Sequence, residues 1–438
     1  MPYRWPNGQG KEKFFDGIRS ARKWRTTMGP VYQIWAGDRR EIVLTRPDHA
    51  AQYFRDSHRH VKATNNNSGW LFGEVLGECV GLVSLERWQN LRSVVETAFS
   101  RPSMALKTTL IISQAQQYLN GMGLGSIGQM DPAARLQFYP FFVVAQVLFG
   151  QLSDEQTSIL AELAPLREEL FREVIRGGIN RFAIARYVPW SGASVLRDFQ
   201  SRWSRFVEQS YILSRDKKRD VPVTQLWQAV LVCKISKKEA LQTLDESLYA
   251  NLDVTTSAIS WNIILLAQHV GIQQQLRDEI RANGATSASY IDNQHTLLAA
   301  CILEASRLRP ILAFSNPEHA IEDKLIDGYL IPRHTDVIVD ATAINVENPF
   351  WENGTKYMPH RFLSLKPADV RYNLWRFGFG PRKCLGQHLA DRMLRALTAA
   401  LVSQYYLDCS TSLNDSHDLK DESWVGLPNE TVHYRRVE

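Results

Sequence analysis

A chain of 438 residues, 44% of them apolar, carries enough apolar surface for a large core in one or more domains. Its net charge of +5 is mild for that length and does not point to nucleic acid, which calls for clustered basic runs. The five cysteines, Cys79, Cys233, Cys301, Cys384 and Cys409, are odd in number, scattered and free of C-x-x-C pairs. That excludes a disulfide framework or a zinc site and favours a reducing compartment.

The first thirty residues read as a polar lead-in without an apolar run of signal-peptide or membrane-span length. Two short strands follow, Val31 to Gly37 and Arg40 to Leu44, joined by a Gly-Asp turn. Helical periodicity then predicts Trp88–Phe99, Leu106–Leu119, Ala133–Leu148, Ser153–Arg176, Ser194–Ser214, Lys237–His269, Ile272–Ala282 and Thr296–Leu308. A β-rich stretch over 311–342 contains Gly328-Tyr329-Leu330-Ile331-Pro332 and Val337 to Asp340. A last apolar helix is predicted from Gln387 to Ser403. The class is mainly α with a small segregated β region, and no composition shift divides domains. Gly123-Leu124-Gly125-Ser126-Ile127-Gly128 matches the dinucleotide pattern, but a polar-faced helix precedes it and Asp131-Pro132 follows, so a loop between helices is expected.

The window Phe377 to Gly386 places Cys384 in a glycine-rich loop just before that last helix. A thiolate there meets a helix N-terminus and backbone N–H groups, which lower its pKa. Glycines admit a flat cofactor, and Arg382 offers a cation to an anionic group on it. An axial cysteinate on haem iron needs these features. Phe377, Gly380, Arg382, Cys384 and Gly386 fit F-x-x-G-x-R-x-C-x-G, and on these residues the chain resembles a cytochrome P450.

Other motifs extend the resemblance. Glu304 and Arg307 lie three apart on one helix face, followed by Arg361; the family buries such a set as an ionic triad behind the cysteine loop. Trp88 and Arg92 form the W-x-x-x-R that the family directs at haem propionates, and His319 falls near another propionate-binding position. In Ala250-Asn251-Leu252-Asp253-Val254-Thr255-Thr256 the family's proton-relay acid survives as Asp253. Asn251 replaces the usual glycine and Val254 the usual threonine, leaving Thr255 one position late, about 100° around a helix. A helix bulge would return Thr255 to the relay, which is expected to combine Asp253, Asn251, Thr255 and water.

The resemblance implies one catalytic domain of the cytochrome P450 fold over residues 1–438, binding haem b through Cys384, with Phe377 and Gly386 lining the cofactor. It implies oxidation of a small organic molecule with dioxygen and two electrons from NADPH, delivered by a flavoprotein NADPH–cytochrome P450 reductase. The outcome is hydroxylation, cyclisation, coupling or desaturation. Within the family the chain is similar to fungal secondary-metabolism members of the gliotoxin/diketopiperazine or dityrosine type. A substrate built from amino acids is expected, with a terpenoid or polyketide as the alternative and a non-catalytic haem sensor or carrier as the rival. Substrate contacts are expected from Asn66, Trp70, Phe72, Ala250, Val254, Ile311, Ala313 and Phe314. A monomer is expected, cytoplasmic or, if an anchor has been removed, on the cytosolic membrane surface of the endoplasmic reticulum.

Overall fold

A computed structural model describes residues 1–188, 191–409, 419–420 and 423–437. The helix Lys237–Gln268 is its axis, 32 residues and about 48 Å long. Ser236 starts it: its hydroxyl accepts from Glu239 N–H at 3.1 Å while the Glu239 carboxylate accepts from Ser236 N–H at 2.7 Å. Leu244, Leu248, Leu252, Ile259, Ile263 and Leu266 bury its length, so apolar neighbours surround its middle. Phe138–Phe149, Leu297–Leu308 and Gln387–Gln404 pack against it. Asp154–Arg176 and Ser191–Asp216 pair nearby. Among the described residues no helix is long and apolar enough to cross a membrane.

The sheets lie outside this helical body. Five strands run in the order Val31–Ala36, Arg39–Leu44, Asp336–Val339, Glu318–His319, Val61–Lys62. The second and third are parallel, with Val43 opposite Ile338. Within the predicted β-rich stretch a hairpin joins Lys324–Ile326 to Tyr329–Ile331; Asp327 and Gly328 both take positive φ, as a tight two-residue turn requires.

Several predicted boundaries change. The lead-in folds as two helices, Gly10–Phe15 and Gly17–Met28. Ala133–Leu148 divides into Pro132–Arg135 and Phe138–Phe149. The glycine pattern at 123–128 does not join two helices: it runs from Thr108–Gly121 into a strand, Ile127–Met130, which pairs with Val432–Arg436. That strand formed no visible pattern because its partner lies at the opposite end of the chain.

Candidate active site

The loop before Gln387–Gln404 turns back twice, at Gly378 (φ 79°) and Gly380 (φ 70°). A side chain on Gly380 would bring a carbon within 2.2 Å of Ser57 Oγ. Phe379 anchors the loop among Phe54, Tyr372 and Trp375. The Cys384 N–H donates to Phe377 C=O at 2.9 Å, closing the loop and presenting the sulphur to a cavity of about 510 Å³. Phe377, Gly378, Arg382, Cys384 and Gly386 line one side of it. Asn251, Asp253 and Thr255 face it from the long helix, and Phe72, Phe171 and Trp424 line it from other segments.

Burial pushes the Cys384 thiol up; the Gly386 N–H and the cations Arg92 and Arg376 oppose that, while Glu246 adds to it. The Gly386 N–H acts in the direction the loop sequence implies, against the burial that raises the pKa.

Cations gather on one flank of the cavity. Arg382 lies over the Trp88 ring at 5.1 Å and donates to Val83 C=O at 2.6 Å. Burial lowers its pKa to about 10, which leaves it charged at neutral pH. Arg92 donates from Nη1 to Lys383 C=O at 3.3 Å, and its buried Nε makes no hydrogen bond. His319 does not join them. It is absent from the cavity wall, and its Nδ1 pairs with Asp336 at 3.0 Å. Successive strand residues point to opposite faces, so Glu318 turns inward and His319 outward. Glu318 is held by His60 at 2.9 Å and by Lys62, and Lys62 also lines the wall.

Behind the loop, Arg307 grips Glu304 with two bonds of 2.8 Å, and Arg361 Nε lies 3.3 Å from the same carboxylate. Arg307 also donates to the carbonyls of Asn345 and Gly354, and Met358 N–H donates to Glu304. Glu304 and Arg307 are fully buried. Arg376, beside them, pairs with Asp391 at 2.6 Å.

On the opposite wall the expected relay separates. The helix stays α-helical from Lys237 to Gln268, with no bulge. Thr255 donates to Asn251 Oδ1 at 2.6 Å, and Asn251 donates to Ser247 C=O at 2.7 Å, one turn back each time. Asp253 is not bonded to this pair; residues two apart do not face each other on a helix. Its Oδ2 instead accepts from the indole N–H of Trp424 at 2.6 Å. Asn66, Phe72, Ala250, Val254, Ile311, Ala313 and Phe314 line the cavity. Trp70 does not: it begins the helix Trp70–Leu76, two positions and about 200° from Phe72, and its ring lies under Arg186. Lys62, Glu168 and Trp424 escaped sequence reasoning. None belongs to a local pattern, and only tertiary packing brings each to the cavity.

A thiol facing a cavity, a flank of cations beside it, an unbonded guanidinium nitrogen and a glycine whose missing side chain would meet no atom within 4 Å fit a flat, dianionic, iron-bearing haem. Comparisons with known proteins agree. A family model described as cytochrome P450 matches residues 6–434. The cytochrome P450 monooxygenase gliC of Aspergillus fumigatus is 55% identical over 97% of this chain and 86% of its own length. The cytochrome P450 monooxygenase verC of Clonostachys rogersoniana is 47% identical over 99% and 87%. Both are fungal, as the subfamily resemblance implied. A zebra fish cytochrome P450, solved with progesterone, superposes with a TM-score of 0.74 over 95% of this chain and 98% of that one; at 17% identity it speaks for the fold. Family match, relatives and fold converge on one assignment: the chain belongs to the cytochrome P450 family, the haem-thiolate monooxygenases.

Proposed function

We propose that this monooxygenase, folded as one catalytic domain, performs a tailoring oxidation on an amino-acid-derived metabolite, with a cyclic dipeptide as the reference substrate. One observation carries the reading. The wall opposite Cys384 interleaves amides and carboxyls (Asn66, Glu168, Asn251, Asp253, Asn316) with the rings of Phe72, Phe171, Phe314 and Trp424. A compact ring of amides bearing an aromatic side chain matches that alternation and offers a donor to the unbonded Asn66 Oδ1; a terpene or fatty acid offers none.

Haem, held by Cys384, supplies dioxygen activation with two electrons from NADPH through a reductase. Arg92 and Arg382 would neutralise its propionates, and the Trp88 indole N–H would donate to one of them. Glu304, Arg307 and Arg361 fix the 345–358 backbone behind the cysteine loop. Asp253 holds a proton at the carboxyl oxygen left free by Trp424. The Asn251–Thr255 pair orders water on the neighbouring face.

The test is a spectral titration of the haem-loaded enzyme with cyclic dipeptides, terpenes and polyketides, followed by turnover with NADPH and a reductase. The reading requires that cyclic dipeptides displace the iron-bound water, seen as a blue shift of the Soret band, and are converted to oxidised product. Saturable shift and turnover with a terpene or polyketide only would overturn it.

A further inference from the structure

The segment around Trp424 is fastened to the long helix at several points. Gly426 C=O accepts from Trp261 Nε1 at 2.6 Å and from Ser257 Oγ at 3.1 Å. Gly426 N–H donates to Ile311 C=O at 3.2 Å, and Ser423 Oγ donates to Val425 C=O at 2.6 Å, which tightens the turn. Lys420 anchors the approach on Asp131 at 2.5 Å. These contacts aim one side chain into the cavity, and its N–H meets Asp253. The Trp424 ring also packs on Phe171 at 4.8 Å, and Phe171 packs on Phe72 at 5.9 Å.

We propose that Trp424 is the positioning residue of the proton-donating acid: its indole N–H fixes Asp253 Oδ2, so that Oδ1 alone faces the reacting space. The inference rests on Asp253 being the donor. Among the described residues Oδ1 accepts no hydrogen bond. The charged groups facing Asp253 are Glu168, Arg167 and Arg172, all on Asp154–Arg176. Arg167 is already committed to Asp245 at 2.7 Å, and Glu168 is tied to Gln137 at 2.7 Å. Arg172 acts on Asp253 only through its charge, with no hydrogen bond between them among the described residues, so Trp424 is the partner that sets the carboxyl's rotation. Its N–H also favours the ionised acid, against the burial that raises the Asp253 pKa.

The experiment compares the haem-loaded wild type with Trp424→Phe, Trp424→His, Asp253→Asn and the Trp424→Phe/Asp253→Asn double variant. Haem content, the carbon monoxide spectrum and substrate affinity establish that each is folded. The readout is coupling, the share of NADPH that ends in product, as a function of pH. Trp424→Phe keeps the ring and removes the donor; coupling should fall severalfold, with the lost electrons recovered as peroxide. The pH at which coupling is half lost should rise by about one unit, because the ionised acid loses a hydrogen bond. Trp424→His keeps a ring N–H and should recover at least part of the coupling. The double variant should be no worse than Asp253→Asn, since the two residues act as one unit. Unchanged coupling in Asp253→Asn would sink both the donor assignment and this inference. Uncoupling in Asp253→Asn with an unaltered pH profile in Trp424→Phe would sink the Trp424 role alone. Additive losses in the double variant, or equal losses in the Phe and His variants, would also overturn it.

Discussion

Cys384 is the residue on which the chemistry turns, and it was legible because everything the sulphur needs lies within ten consecutive positions. Cys384→Ala should abolish the red-shifted Soret band of the reduced carbon monoxide complex. Alanine at Cys79, Cys233, Cys301 or Cys409 should leave that band in place. Glu318 offers a test by pH. Burial raises its pKa, but Lys62 and His60 overcome that and bring it from 4.5 down to about 2. A depressed carboxyl stabilises the folded state above its unfolded pKa and loses that contribution as pH falls through the folded one. Acid unfolding of the wild type should therefore take up one proton more between pH 4.5 and about 2 than that of Glu318→Gln, a difference of about 3 kcal/mol in stability change over that window. Equal proton uptake in the two proteins would place Glu318 outside this pairing. Glu318 also marks where single-residue reading stops. His319 was the expected propionate partner, and which of two neighbours on a strand faces inward depends on a register set by Val61–Lys62 and Asp336–Val339, far away in sequence. Trp424 had no local signal at all.

Long helices announced themselves through periodicity and caps, as with Ser236 and Glu239 ahead of Lys237–Gln268. Short ones such as Trp70–Leu76 did not, because seven residues span two turns and show no repeated stripe. That is why Trp70 and Phe72 could not be assigned to opposite faces. The strands of residues 127–130, 405–408 and 432–436 were likewise invisible, each being short and dependent on a remote neighbour. The helix pair Glu304 and Arg307 was readable, whereas the backbone it holds was not. Arg307 reaches the carbonyls of Asn345 and Gly354, so the ionic cluster clamps an irregular segment that has no ladder of its own. Glu304→Gln leaves two buried guanidiniums short of a carboxylate and should cost about 3–5 kcal/mol. Thermal denaturation should show that loss, and haem occupancy should fall with it. A variant with wild-type melting and full haem would show that the clamp carries no strain-bearing role.

At the scale of the whole molecule, the face carrying the cysteine loop should receive the reductase. Arg371 and Lys383 are exposed there, while Arg376 is withdrawn into its pair with Asp391. The docking charge therefore rests on Arg371 and Lys383. Reduction of the haem should slow with ionic strength and in Lys383→Glu, whereas an Arg376 substitution should act on folding first. Insensitivity of the reduction rate to salt and to Lys383→Glu would remove this face from consideration. The fold class and the iron ligand were written into contiguous stretches; the cavity was not, because its wall draws on segments from every part of the chain. Lys62, Trp88, Asp253, Cys384 and Trp424 meet only after the strands of residues 39–44 and 336–339 have paired and Gly426 has bonded to Ser257 and Trp261 on the long helix. Such distant pairings form slowly. In a polypeptide growing on the ribosome, Trp424 therefore reaches the cavity wall only after Cys384 and the cations beside it have been made. Until then Asp253 lacks its indole partner, so the side of the cavity that holds the iron ligand is laid down before the side that aims the acid is closed.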